Sequence, residues 1–222
     1  MRKLIASTFV SLDGVMQAPG GPEEDSSGGF GLGGWMFRYE VDGADIAAAG
    51  FDGQGRELLL GRRTYQIFEG FWPYQPDDDP IAKTFNATRK YVASRSLTTL
   101  GWNNAVLLAG DVTATVATLK TQPGPDLQII GSGELIQTLQ VAGLIDEYNV
   151  WCFPLLLGHG KRLFGDAIQP VALKLLRSRQ SDSGVVMSTY APAGRIQPGS
   201  FATREPSPVE LARRGRMASG AW

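Results

Sequence analysis

"LLLGRRTYQIFEGFW", residues 58–72, runs three leucines into a glycine, two arginines and a threonine. Consecutive leucines place apolar side chains on both faces of a strand, the pattern of a parallel strand covered on two sides. The spacing predicts a strand over 57–61 and a helix over 62–72, closed by Gly70 and Pro73. A strand passing into a helix through one glycine aims the helix's free amides and positive dipole end out of the sheet's carboxyl edge. Such an end binds anions, and Gly61 lets a phosphate approach the backbone closely. Arg62 and Arg63 add planar, bidentate charge suited to phosphate, although solvated first-turn arginines would read the same way.

The pattern recurs in "LQIIGSGELIQTLQVAGL", residues 127–144, where Gly131, Ser132 and Gly133 follow a buried strand and open a helix. Two anion-ready helix ends on one sheet suit a molecule with separated phosphates. The dinucleotide fingerprint of the doubly wound fold is absent, since Ile136 stands where its third glycine belongs. A third candidate is "YVASRSL": Ser94 and Arg95 end a strand, where a cation would favour a ribose 2'-phosphate over a bare hydroxyl. They also fit an ordinary polar turn. In "SLDG", residues 11–14, Asp13 ends the first strand as either a loop cap or a site carboxylate.

Strands are expected at 3–10, 90–94, 105–110 and 145–158, and helices at 35–50 and 111–122. Residues 172–192 read as a hairpin around Ser-Asp-Ser-Gly. Alternating strands and helices imply an α/β fold with a mainly parallel central sheet, to which the hairpin adds an antiparallel edge. Between Gly14 and Gly34 lie eight glycines, a composition that predicts a long loop of the kind used as a lid or mobile segment. The globular domain is read as 1–192. Residues 193–222 form an arm rich in Gly, Pro and Ser; from 195 on it holds five arginines against two glutamates, with a short helix expected at Ser207-Pro208.

Composition limits the chemistry. The 222 residues carry a net charge of -1 and no basic stripe, so nucleic-acid binding is not expected. Cys152 and His159 are the only residues of their kinds, which excludes an intrachain disulfide or a His/Cys metal site. No apolar run reaches membrane-spanning length and the start is too quickly polar for a signal sequence, so a cytoplasmic protein is expected. His159, in "PLLLGHGKRLF", is either a proton donor or, more simply, a loop residue; Lys161 and Arg162 could meet a substrate phosphate. Trp35 and Trp72 are candidates for lining a pocket, with core roles equally compatible. "VWCFPLLLG", residues 150–158, reads as an apolar edge shared between subunits, so a homodimer is expected.

In their order, "SLDG", "LLLGRRTY", "VASRSL", "IIGSGELI" and "PLLLGHGKRLF" resemble the dihydrofolate-reductase-like fold. More closely they are similar to the reductase domain of the riboflavin-biosynthesis deaminase-reductase and its stand-alone relatives, over roughly residues 2–192. The resemblance implies an NADPH-dependent reductase. Gly61, Arg62, Arg63 and Thr64 would meet the cofactor phosphates and Ser94 and Arg95 the 2'-phosphate. Gly131, Ser132, Gly133, Glu134 and Leu135 would meet the pyrophosphate and nicotinamide side. Asp13 matches the aspartate near the ribose-like substrate and is the candidate catalytic residue. A dihydrofolate or pterin reductase is the alternative, with Glu40, Asp42 or Asp45 as its carboxylate; a non-catalytic nucleotide-binding dimer is another.

Overall fold

The computed structural model describes residues 1–41, 46, 55–166 and 168–221. Eight strands form one sheet: β1 (Leu4–Ser11), β2 (Arg56–Gly61), β3 (Lys90–Ala93), β4 (Ala105–Leu108), β5 (Asp126–Ile130), β6 (Glu147–Phe153), β7 (Leu173–Gln180) and β8 (Val186–Pro192). Their order is β4-β3-β2-β5-β1-β6-β8-β7. The first six run parallel, and the β7–β8 hairpin adds the antiparallel edge through β8 on β6. This is an α/β fold with a mainly parallel central sheet and an antiparallel edge, as expected.

Five helices have described boundaries: α1 (Arg62–Glu69), α2 (Pro80–Ala87), α3 (Val112–Thr121), α4 (Gly133–Val141) and α5 (Pro208–Ala218). One face of the sheet, with Leu58, Leu60, Val92, Ile130, Trp151 and Phe153, packs against Tyr65 and Phe68 of α1 and Phe85 of α2. The opposite face, with Leu4, Ala6, Leu59, Leu127 and Ile129, packs against Val116 and Leu119 of α3 and Ile136 and Leu139 of α4. Adjacent leucines 58, 59 and 60 are all fully buried because the pleat sends them alternately into these two layers.

Several expectations change. Within 35–50 a 3-10 turn spans Trp35–Arg38 and Ile46 is helical, while 42–45 and 47–50, with Asp42 and Asp45, lie outside the described residues. Helix α2 was not anticipated, yet it carries a sequence signal: Asp79 accepts hydrogen bonds from the Ile81 and Ala82 amides at 2.8 and 3.0 Å, and Pro80 opens the helix. The apolar edge read from 150–158 does not exist as a unit. Strand alternation buries Trp151 and Phe153 and turns Val150 and Cys152 to the opposite face, leaving Leu156 exposed in the loop beyond.

The glycine-rich segment is also no free lid. Val15 pairs with Arg162 in an antiparallel bridge, Met16 N donates to Lys161 O at 2.8 Å, and Leu163 N donates to Gly14 O at 3.0 Å. Val15, Met16, Gln17, Ala18 and Phe30 are buried. Glycine content marked the absence of regular structure but said nothing about the apolar residues that hold the loop down.

Candidate functional site

The candidate cofactor residues and Asp13 arrive at one edge because β1, β2, β3 and β5 are parallel. Gly61 pairs with Ala93, so Arg62 and Ser94 follow side by side. On the other flank of β2 lies β5, ending at Gly131, and beyond it β1 delivers Asp13. Along the carboxyl edge the order is therefore Ser94–Arg95, Gly61–Thr64, Gly131–Leu135, Asp13. That edge is where open α/β sheets bind ligands.

The two central turns are tied to each other. Ser132 Oγ accepts a hydrogen bond from Gly61 N at 3.0 Å, and Ser132 N donates to Thr64 Oγ1 at 3.0 Å. Gly131 and Ser132 are both in the left-handed conformation (φ 60° and 53°), which turns the chain sharply enough to make this exchange. Helices α2, α3 and α5 are capped by their own Asp79, Asp111 and Ser207 side chains. Gly61 and Ser132 give α1 and α4 no such cap. The two helix ends facing the cleft are thus those whose first-turn amides their own N-cap side chains leave unsatisfied, and they fit a phosphorylated cofactor.

The surrounding cations are less uniform. Arg62 donates to Gln66 Oε1 at 3.0 Å, and Arg63 pairs with Glu134 across the two turns at 3.0 Å with both side chains largely exposed. Such an exposed pair contributes little stability and is readily exchanged for a ligand phosphate. Arg95 is exposed. Ser94 Oγ accepts from Ser96 N and Leu97 N at 3.2 and 3.0 Å, so its hydroxyl shapes the turn that presents Arg95. Leu135 is buried against α4's own core face.

Asp13 is fully engaged. Its Oδ1 accepts from Ser11 Oγ at 2.6 Å and Leu157 N at 3.1 Å, and its Oδ2 accepts from Gly158 N at 2.8 Å. The Arg162 guanidinium lies 3.7 Å from Oδ2 and also donates to the Asp13 carbonyl. The Ser11 hydroxyl, followed by the Leu157 amide, holds the carboxyl down to about 2. A carboxylate so stabilised stays ionised near neutrality, and its hydrogen bonds join the loop after β1 to the loop after β6. The stability it contributes is complete above the ordinary carboxylate range and is lost as pH falls through about 2. Asp13→Asn should therefore unfold earlier in urea than wild type at pH 7, and the gap should narrow between about pH 4 and pH 2. A gap independent of pH would contradict the assignment.

Beside this clamp is a cavity of about 300 Å³ lined by Gln17, Ser27, Gly28, Phe30, His159, Gly160 and Lys161. Buried Gln17 spans it, donating to Asp25 O and Ser27 O and accepting from Lys161 N at 3.0 Å. Lys161 Nζ is paired with Asp25 at 2.5 Å and donates to Ser27 Oγ at 2.6 Å, while His159 packs edge-on against Phe30. The role of Gln17 carried no signal in the sequence. Neither tryptophan lines this cavity. Trp35 is buried, its Nε1 donating to Gln17 O at 2.8 Å, and Trp72 packs among Phe68, Phe71 and Phe85. The carboxylate of Glu40 belongs to an exposed residue whose backbone oxygen accepts from Ser183.

Residues 2–187 match the family model described as the RibD C-terminal domain. The chain belongs to the RibD C-terminal domain family. It is 29% identical over 192 residues to the uncharacterized protein YyaP of Bacillus subtilis (strain 168), covering 85% of this chain and 94% of that one. Among solved structures, it is similar to a putative riboflavin biosynthesis protein from Shewanella sp. PV-4, with TM-score 0.64, 22% identity, and 87% and 99% of the two chains covered. It is also similar to the Enterococcus faecalis dihydrofolate reductase complexed with NADP(H), with TM-score 0.54, 14% identity, and 86% and 96% covered. In this RibD C-terminal-domain protein the fold and family are those of reductases. No helix among the described residues is long and apolar enough to cross a membrane.

Proposed function

We propose that this protein is an NADPH-dependent reductase of a small heterocyclic or sugar-phosphate-bearing substrate, most like 5-amino-6-(5-phosphoribosylamino)uracil reductase, working in the cytoplasm. The observation that carries this reading is the pair of uncapped helix ends, α1 and α4, joined by Ser132 and Thr64 and flanked by three arginines. The first-turn amides of α1 and α4 hold phosphate oxygens. Arg62, Arg63 and Arg95 supply charge, Arg95 toward the 2'-phosphate. NADPH, when bound, supplies the hydride.

The chain's own contribution is positional. Ser132 and Thr64 keep the two turns in register. Asp13, as a fixed anion, holds the 157–162 segment against the loop after β1, and the substrate is bound beside that clamp. In this reading the proton comes from water reaching the cavity walled by His159 and Lys161.

The test is a titration with NADPH and NADH followed by tryptophan quenching, then NADPH oxidation with ribosylamino-pyrimidine phosphates and with dihydrofolate. NADPH-selective binding and turnover of the former are expected. Turnover of dihydrofolate alone would assign a pterin reductase, and binding without any turnover a nucleotide-binding protein. Failure to bind either nucleotide would overturn the cofactor site itself.

A further inference from the structure

The cavity beside the Asp13 clamp is walled by two segments far apart in the chain, 17–30 and 159–161, and shares no residue with the helix ends at Gly61–Thr64 and Gly131–Leu135. At about 300 Å³ it stands at the small end of ligand pockets, room for a head group rather than a dinucleotide. Its lining includes no carboxylate. The one side-chain amide there, Gln17, is spent on backbone: Nε2 donates to Asp25 O and Ser27 O, and Oε1 accepts from Lys161 N. Asp25, outside the lining, is equally committed. Its Oδ1 accepts from Ser27 N and Oγ at 3.1 and 2.5 Å, and its Oδ2 from Lys161 Nζ.

What the cavity leaves unspent are donors. An ammonium carries three N–H groups, and Lys161 Nζ commits two of them, to Asp25 Oδ2 and Ser27 Oγ. The His159 ring packs edge-on against Phe30 with 5.6 Å between centroids, and neither of its nitrogens hydrogen-bonds to a described residue. The Gly160 amide likewise donates to no described residue. Arg162 is not part of this set, because its guanidinium is turned to Asp13. An ammonium, an imidazole and an amide with donors to spare, around one pocket without an acid, select an anion. Buried Phe30, with Gly28 and Gly160, makes the remaining wall apolar, which suits a carbon chain behind the charge.

We propose that this cavity is a second anion seat, separate from the cofactor site, which takes a phosphate monoester against Lys161, His159 and the Gly160 amide. Asp25 and Gln17 do not touch the ligand; they hold Lys161 and the 17–30 loop in place around it. Two sources share this chemistry. One is the phosphate of the reductase substrate, which rests on the function proposed above; the other is a separate small phosphate compound, which does not.

His159 is the only histidine, so its ring C–H signals in the proton NMR spectrum of the untagged full chain report on this cavity. Inorganic phosphate and ribose 5-phosphate, added at constant pH and ionic strength with and without saturating NADPH, are expected to shift those signals along a saturable curve. Ribose and chloride should leave them in place. Lys161→Ala is expected to weaken the response at least about tenfold, the lower end for a hydrogen bond to a charged group, and Lys161→Arg to keep it. Because Lys161→Ala also opens the Asp25 pair, His159→Gln gives an independent check: the rise in melting temperature that phosphate confers on the NADPH-saturated wild type should be lost. The absence of a saturable shift, or a shift that Lys161→Ala leaves unchanged, overturns the proposal. Phosphate inhibition competitive with the phosphorylated substrate and not with NADPH supports the seat and gives it to the substrate. Saturable binding without such competition supports it as a site for a separate phosphate compound. A chain that binds no NADPH yet shows the His159 shift loses the reductase reading and keeps this site, so the two failures are told apart.

Discussion

Gly160→Ala is expected to lower the melting temperature by about 10 °C, because two costs coincide at one atom. Gly160 has φ +126°, a conformation that side chains rarely adopt, and a Cβ there would stand 2.7 Å from Val15 Cγ1 and 3.1 Å from Phe30 Cε2. Both neighbours are buried, Val15 at 0% and Phe30 at 2% exposed, so neither can swing into solvent. Backbone strain and overpacking each cost on the order of 1–3 kcal/mol, and a chain of this size loses about 2–4 °C per kcal/mol. Gly158 provides the control. Its φ is also positive, +77°, but nothing lies within 4 Å of its missing Cβ. Gly158→Ala should cost only about 1 kcal/mol of left-handed strain, or about 3 °C. Differential scanning calorimetry of the two variants separates the contributions; equal losses would mean that Val15 and Phe30 do not clamp the loop. Since Gly160 also walls the cavity, nucleotide binding measured well below the melting temperature shows whether the clamp matters for the site as well as for stability.

Arg95→Ala is expected to weaken NADPH binding about 10- to 100-fold while changing NADH affinity by less than about threefold. An exposed guanidinium held by the Ser94 turn gains most from a dianionic 2'-phosphate, and a hydrogen bond to a charged group is worth about 1.5–3 kcal/mol. NADH has only a hydroxyl at that position, so it loses nothing comparable. Tryptophan quenching titrations of wild type and variant with both nucleotides measure the effect. Equal losses for the two would reject the 2'-phosphate assignment and leave Arg62 or Arg63 as the discriminating charge. Raising the salt concentration should erode the NADPH preference of the wild type in the same direction, because the contact is solvent-exposed.

Much of this fold could be read locally. Hydrophobic runs such as 58–60 and 127–130, and the glycines after them, mark where strand passes into helix, since burial on both faces and release from the strand are properties of the segment itself, while the helices end about three residues before the expected 72 and 144. The hairpin at 173–192 and the Ser207-Pro208 helix start were legible for the same reason. So was the grouping of Gly61–Thr64, Ser94–Arg95 and Gly131–Leu135: once the strands are parallel, their carboxyl ends must share an edge.

What tertiary structure alone decided were partnerships. A lysine opening a strand gives no hint that Lys90 is fully buried, donating to the backbone oxygens of Thr88, Asn103 and Asn86 and lying 4.1 Å from the Trp102 ring centroid. Asp13 read as a loop cap or a site carboxylate, and nothing local shows that, besides Ser11, amides more than 140 residues away hold it. Trp35 and Trp72 acquired core roles from rings elsewhere in the chain. The sequence by itself determined the order of the strands, the sheet edge that gathers the candidate residues and which of them line up there, because these follow from backbone periodicity and short-range turns. The three-dimensional packing decided which of those side chains are spent on protein partners and which remain for a ligand, because hydrogen bonds and burial are satisfied between segments that the linear order keeps apart.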